Sequence, residues 1–132
     1  MSFLLDSHTL LWAILDNKKL SPKVISILED TNHEIFVSAV TFWEISLKYA
    51  LGKLDLSNIR PEDLTKLCEQ IGFNFLPLLP SEAASYHQLN ATWHRDPFDR
   101  MLIWQAMKNN LVLLSKDKNV SLYKSVGAKV VW

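Results

Sequence analysis

Phe3-Leu4-Leu5-Asp6-Ser7-His8-Thr9-Leu10-Leu11-Trp12 decides the fold class. Its first three residues make a short apolar run of the kind found in a strand buried on both faces. Asp6 follows at once, and helical periodicity carries from His8 to Leu15. An acid in this place can cap the helix after it. It also stands where open parallel sheets bind ligands, beyond the carboxyl end of a strand.

The same alternation continues outward along the chain. Ser21-Pro22 opens a helix with a hydroxyl cap and a proline at its first position. Ile35-Phe36-Val37 reads as a second strand and Ser38 as the cap of a helix in which Val40, Trp43 and Leu47 share a face, with Gly52 as its stop. Pro61-Glu62-Asp63 starts a further helix, with acids in its positive first turn, and Gly72 ends it. Phe73 to Leu76 is a third strand, and Pro80-Ser81-Glu82 opens a helix to about Asn90. Asp96-Pro97 begins the helix carrying Leu102, Ile103 and Ala106. Leu111 to Leu114 is a fourth strand, a short helix follows near Val120, and Lys129-Val130-Val131 is a small closing strand. Strands separated by helices pair in parallel through right-handed crossovers. The expectation is one α/β domain over residues 1–132, with a mainly parallel central sheet.

Composition narrows the function. The chain has 132 residues, 48% hydrophobic and 21% charged, enough to fill a real core. Five Trp leave large side chains to place, some of them as partner surface. Fourteen basic and fourteen acidic residues give a net charge of zero, so nucleic-acid binding needs a local patch rather than a global field. The single Cys68 excludes an internal disulfide and a cysteine zinc site, and fits a reducing cytosol. No apolar run reaches the roughly 20 residues of a membrane span, and the N-terminus lacks a signal-peptide pattern. The expected location is the cytoplasm, with no membrane partner.

Four acids converge if these elements fold as read. Asp6 follows the first strand, and Asp117 follows Ser115-Lys116 beyond the fourth. Asp99 lies in the first turn of the helix leading into the fourth strand. Glu44 lies in the second turn of the helix after the second, flanked by Trp43 and Ile45. Asp96 reads as a helix cap beside Pro97. Carboxylates packed together repel and raise one another's pKa values, and a divalent cation removes that penalty. An oxygen-only set selects Mg²⁺ or Mn²⁺. His8, His33, His87 and His94 are scattered and show no ligand spacing. Such ions hydrolyse phosphodiesters by activating water and stabilising the attacking and leaving oxygens.

Four blocks in order then become recognisable. Leu4-Leu5-Asp6-Ser7-His8-Thr9-Leu10-Leu11-Trp12 resembles the opening motif of PIN-domain proteins of the VapC-like toxin group. Val37-Ser38-Ala39-Val40-Thr41-Phe42-Trp43-Glu44-Ile45 resembles their second block. His94-Arg95-Asp96-Pro97-Phe98-Asp99-Arg100-Met101-Leu102-Ile103 with Gln105-Ala106 is similar to the third, and Leu113-Leu114-Ser115-Lys116-Asp117 to the fourth. Ser7 stands where Thr is commoner and His8 where many relatives have Asn, but no carboxylate is lost. The resemblance implies a three-layer α/β/α PIN-like fold and an Mg²⁺- or Mn²⁺-dependent ribonuclease that acts as the toxin of a toxin–antitoxin pair. It carries the catalytic and metal roles to Asp6, Glu44, Asp99 and Asp117. It also implies a homodimer and a cognate antitoxin, laid as a strand or helix in an apolar groove with an Arg reaching the acids. The helix from Pro61 and the helix near Leu10 are the expected walls of that groove.

Arg95, Arg100, Lys116 and Lys118 stand close to the acids in sequence and are candidates to hold flanking phosphates. Arg100 can instead pair with an acid. Ser115 is a candidate substrate contact whose hydroxyl can also orient Asp117. Among Trp12, Trp43, Trp93 and Trp104, read mainly as core or interface anchors, Trp93 is the best base-stacking candidate. Two other functions fit an α/β domain with acids at strand ends. A phosphoacceptor switch needs paired acids near the first strand, where Asp6 stands alone. A non-catalytic PIN-like module binding RNA or protein would not need all four acids.

Overall fold

The computed structural model describes residues 1–132. In chain order it contains β1 (Ser2–Leu5), α1 (Ser7–Leu15), α2 (Pro22–Glu29), β2 (Glu34–Ser38), α3 (Ala39–Ala50), α4 (Pro61–Ile71), β3 (Asn74–Leu76), α5 (Pro80–Ser85), α6 (Pro97–Lys108), β4 (Val112–Leu114), α7 (Lys118–Ser121) and β5 (Lys129–Val131). The five strands form one sheet of order β3-β2-β1-β4-β5, and every neighbouring pair is parallel. β1 lies at the centre, with Leu4 opposite Phe36 on one side and Leu113 on the other. The chain runs outward from β1 through β2 to β3 and then crosses back to β4 on the other side of β1, so the strand order reverses between β1 and β4.

The strands' alternation divides the core into two layers. Phe3, Leu5, Ile35, Val37, Val112 and Leu114 point to one face, where they meet Leu10, Val24, Ile45, Leu64 and Cys68 from α1 to α4. Leu4, Leu113 and Val130 point to the other, against Leu102, Ile103, Ala106, Val120 and Tyr123. Helices therefore cover both faces, as the period-2 alternation of a doubly buried sheet requires. This is the expected three-layer α/β/α arrangement. Cys68 sits wholly inside the first layer, where burial pushes its thiol up to about 11 and leaves it unreactive.

Local chemistry sets the helix starts. Ser21 Oγ accepts from Val24 N at 3.1 Å ahead of Pro22, and Asp63 Oδ2 accepts from Arg60 N at 2.8 Å across the first turn of α4. Gly72 ends α4 in the left-handed region at φ 93°, which a side chain would strain.

One expected element is shorter than the sequence implies. The helix from Pro80 stops at Ser85 and tightens into a 3-10 turn at Tyr86–Gln88, instead of running to Asn90. The cause is Arg100. It draws the Leu89 and Ala91 carbonyls to its guanidinium and pulls the chain off the helical path.

A fully buried polar link fixes α6 against the rest. Gln105 accepts from the Ser38 hydroxyl at the end of β2 and donates to Glu82 Oε1 at 3.1 Å and the Pro77 carbonyl at 3.2 Å. Buried amides must find such partners, so the link sets the height of α6 against α3. That height decides where Asp99 sits relative to Glu44.

Candidate active site

The carboxyl ends of β1, β2 and β4 share one edge of the sheet, where the ligand atoms of His94, Asp99 and Asp117 lie within 4.8 Å of one another. Asp6 lines a cleft with Asp117, and Glu44 and Asp6 reach Asp99 through their charges. Asp6 and Glu44 are buried at 4% and 3% exposure, and Asp99 is nearly so. Asp6 Oδ1 caps α1 by accepting Thr9 N at 2.8 Å, so the helix-cap role and a place in the site coexist. Glu44 is held at both oxygens. The Ser7 hydroxyl donates to Oε1 at 2.5 Å, and Lys48, one turn on, pairs with Oε2. Asp117 Oδ1 caps α7 through Asn119 N at 2.7 Å and Val120 N at 3.3 Å, leaving Oδ2 turned to the site. Asp96 is a cap, as read from sequence, accepting Phe98 N at 2.8 Å.

Two residues join the acids that the motif reading set aside. His94 Nε2 lies 3.0 Å from Asp117 Oδ2 and 3.2 Å from Asp99 Oδ2, so it bridges the two acids. Asp96 N donates to its Nδ1 at 3.1 Å, which places the proton on Nε2 and makes the ring a donor to the carboxylates. Its position depends on the fold of the 89–96 loop, which spacing along the chain does not reveal. Lys48 carried a usable signal, since Glu44 and Lys48 have the i,i+4 spacing of a helical ion pair.

The electrostatics follow from this crowding. Burial, then the charges of Asp96, Glu44 and Asp6, push the Asp99 carboxyl up from 3.8 to about 7, with His94 opposing. Burial also raises Asp6, against the hydroxyls of Ser115 and Thr9 and the Thr9 N–H. For Asp117 burial alone would act upward, but the His94 ring and the Asn119 and Val120 N–H groups outweigh it and hold the carboxyl below its usual range. Lys48 loses some stability as a cation through burial, yet Glu44, Asp96 and Asp99 more than restore it and raise its pKa.

These shifts fix a pH dependence. A carboxyl whose folded pKa exceeds its unfolded value binds an extra proton in the folded state, so stability falls as pH rises between the two values. The metal-free protein should therefore lose on the order of 4 kcal/mol from Asp99 between about pH 4 and pH 7, measured as a falling melting temperature in EDTA. Added Mg²⁺ should reverse the loss at pH 8. A second expectation concerns Lys48. Lys48→Met should destabilise the metal-free protein by about 1 kcal/mol, a modest figure because the ammonium is partly exposed and screened, while leaving stability in excess Mg²⁺ nearly unchanged. Thermal melts with and without the ion check it.

The basic candidates divide. Lys116 is exposed at the rim of a cleft of about 340 Å³ lined by Asp6, His8, Trp12, Lys116 and Asp117. Arg95 and Lys118 are exposed beside the acids. Arg100 departs from its expectation as a phosphate holder. Its guanidinium bonds the Leu89 and Ala91 carbonyls, the Tyr86 hydroxyl at 2.8 Å and the Tyr123 hydroxyl at 2.9 Å. Nor does it pair with an acid. Ser115 is buried, not open to a substrate, and its hydroxyl accepts Asp117 N at 3.2 Å, the orienting role read as its alternative. Trp93 leans edge-on against Tyr123, with centroids 5.0 Å apart.

The family model of the PIN domain matches residues 3–126. The chain belongs to the PIN domain family. Ribonuclease VapC22 of Mycobacterium tuberculosis (strain ATCC 25618 / H37Rv) is 25% identical over 129 residues, covering 98% of this chain and 97% of its own. The structure of VapBC-1 from nontypeable Haemophilus influenzae superposes with a TM-score of 0.69 at 18% identity, over 99% of this chain and 97% of the other. VapBC2 from Rickettsia felis, bound to a DNA fragment from its promoter, gives 0.67 at 14% identity, over 99% and 98%. The match spans the parallel sheet, including its reversal between β1 and β4.

No helix is long and apolar enough to cross a membrane.

Proposed function

We propose that this PIN domain is a metal-dependent endoribonuclease, the toxin of a toxin–antitoxin pair, with Asp6, Glu44, Asp99 and Asp117 as its acidic centre. The observation that carries the reading is the gathering of these acids at one sheet edge, with the Asp99 carboxyl driven to about 7 by burial and its acidic neighbours. Such a field calls for a cation. The donor set fits Mg²⁺ or Mn²⁺, because the carboxylates are hard oxygen ligands and His94 presents a proton rather than a lone pair to them. A relative named as a ribonuclease, aligned over nearly the whole chain, agrees.

When bound, the ion would supply a Lewis acid that acidifies water and offsets charge growing on the phosphate. The rest falls to the chain. Asp6, Glu44 and Asp99 set the ion's place from three different elements, and Ser7 and Ser115 orient two of the acids. His94 holds its Nε2 proton between Asp99 and Asp117, within reach of an oxygen that needs one. Water attacks phosphorus, the bond to the ribose 3′ oxygen breaks, and the products are a 5′ phosphate and a 3′ hydroxyl. Lys116 and Arg95 lie where they can hold flanking phosphates.

The protein partners are a cognate antitoxin and a second copy of this chain. Support for covered surface comes from α3, where Trp43, Leu47 and Leu51 stand 62%, 40% and 60% exposed. The expected walls from α1 and α4 also have support, because Ala13 of α1 and the exposed Ile71 of α4 line an apolar groove of about 380 Å³ with Leu20, Ile25, Leu28 and Phe73. VapBC and FitAcB complexes among the structural relatives support an antitoxin. A cytoplasmic location fits an enzyme whose substrate is cellular RNA.

The test is incubation of total cellular RNA with purified chain, with Mg²⁺ or Mn²⁺ and with EDTA, beside Asp6→Asn. Discrete cuts carrying 5′ phosphates, dependent on metal and absent from the variant, are expected. No cutting by folded, metal-loaded protein would favour a binding module instead.

A further inference from the structure

The cleft of about 340 Å³ beside the acids holds a combination that metal binding does not explain. Asp6 and Asp117 form one wall, Trp12 another, and Lys116 and His8 stand at its exposed rim. It opens between the ends of β1 and β4, where the strand order reverses and a ligand in an open α/β sheet is expected. An occupant of this cleft therefore touches the same acids that face the scissile phosphate. Its volume suits one nucleoside.

Trp12 is the aromatic side chain that α1 brings to this cleft. Leu10 is wholly buried, while Trp12 is half-buried and lines the cleft beside Asp6 and Asp117. Its ring is braced. Trp132 packs against it at 5.8 Å and 66°, and the His8 ring lies 5.7 Å away on the preceding turn. A large ring fixed in orientation and left partly open is a stacking platform. Every nucleobase offers a π-face to it, without a sequence requirement.

Cations complete the recognition. Lys116 Nζ and Lys19 Nζ lie 5.9 and 6.0 Å from the Trp12 centroid, at the outer limit of a cation–π contact. Lys19 also pairs with Asp16 at 3.8 Å, while Lys116 has no acidic partner and can turn to a phosphate. With a net charge of zero and acids in the cleft wall, a nucleotide needs local positive charge to settle there.

We propose that this cleft is a subsite for single-stranded RNA: the Trp12 indole stacks the base of a nucleotide next to the cut, and Lys116 and His8 hold its phosphate. The RNA identity rests on the nuclease reading, so the test measures binding rather than cutting. Fluorescence anisotropy of a 5′-fluorescein single-stranded hexaribonucleotide is recorded with Mg²⁺ and the Asp99→Asn protein. The titration is repeated with that protein also carrying Trp12→Leu, Trp12→Phe or Lys116→Ala. A set of hexamers, each with one abasic position, is then titrated.

Trp12→Leu should weaken binding by about tenfold or more, and Trp12→Phe by much less. One abasic position should weaken binding to the parent by a similar factor, with no further loss in Trp12→Leu. Lys116→Ala should lower the salt dependence by about one phosphate contact. Should Trp12→Leu not fold, Trp12→Phe, Lys116→Ala and the abasic set decide alone. Equal binding by folded variants, indifference to every abasic position, or no binding by the parent would each overturn the subsite. Trp12-dependent binding by a protein whose wild type cuts no RNA would keep the subsite and reject the nuclease. RNA cutting with Trp12-independent binding would do the reverse.

Discussion

Asp99→Asn is expected to reduce RNA cleavage by on the order of a thousandfold while making the metal-free protein more stable at pH 8. The two effects have one cause. Asp99 lies in the first turn of α6, buried, with Asp96, Glu44 and Asp6 acting on it and its carboxyl pushed to about 7. In the absence of a cation its charge is a burden, so an amide of the same shape relieves it. In the working enzyme the same charge is the attraction for the ion, and losing a preorganised charge at the reacting phosphate costs on that scale. Melting in EDTA at pH 8 should rise for the variant, and the difference should vanish only below about pH 4, where Asp99 is protonated in both the folded and the unfolded state. A structural acid paired within the protein would show the opposite stability change. Cleavage assays alone do not make this distinction.

Arg100→Ala carries the second large effect, on stability. The guanidinium ties together the Leu89 and Ala91 carbonyls and the Tyr86 and Tyr123 hydroxyls, and packs over the Tyr86 ring at 5.4 Å. Removing it strands several acceptors that the loop holds away from water. The expected cost is about 3–5 kcal/mol, a melting point lower by roughly 10–20 °C. Arg100→Lys should recover little, because one ammonium cannot reproduce the planar fork. Activity should fall as well, since the loop from Leu89 to Asp96 delivers His94 to Asp99 and Asp117. Denaturant unfolding measures the first effect; a mild loss, near that of an exposed arginine, would contradict the role assigned.

The two residues also mark how far sequence reaches. Asp6 was legible because a buried strand leading straight into an acid is a local pattern, and Glu44 because apolar neighbours on both sides point it inward. The five strands, their order of appearance and the caps at Asp96 and Ser38 were legible for the same reason: each depends on neighbours within a turn or two. Arg100 was misread because its partners lie 9 to 23 residues away in loops and a different helix, and only the fold brings them together. His94 was missed on the same ground, its acids being near in space through two separate elements. The face read for Val40, Trp43 and Leu47 splits, with Val40 buried and Trp43 and Leu47 exposed, because periodicity does not say which side of α3 meets the core. Glu44 and Ile45 took that side. Trp12 was set aside as an anchor; only the open cleft beside it gives the ring another use.

The most direct test of the acidic centre is a crystal of the protein soaked in Mn²⁺, with anomalous scattering used to place the ion. An anomalous peak within about 2.3 Å of carboxylate oxygens from Asp6 and Asp99, with Glu44 or Asp117 beside it, is the predicted result. A peak bound elsewhere, or none at the sheet edge in a protein that still cuts RNA, would contradict it.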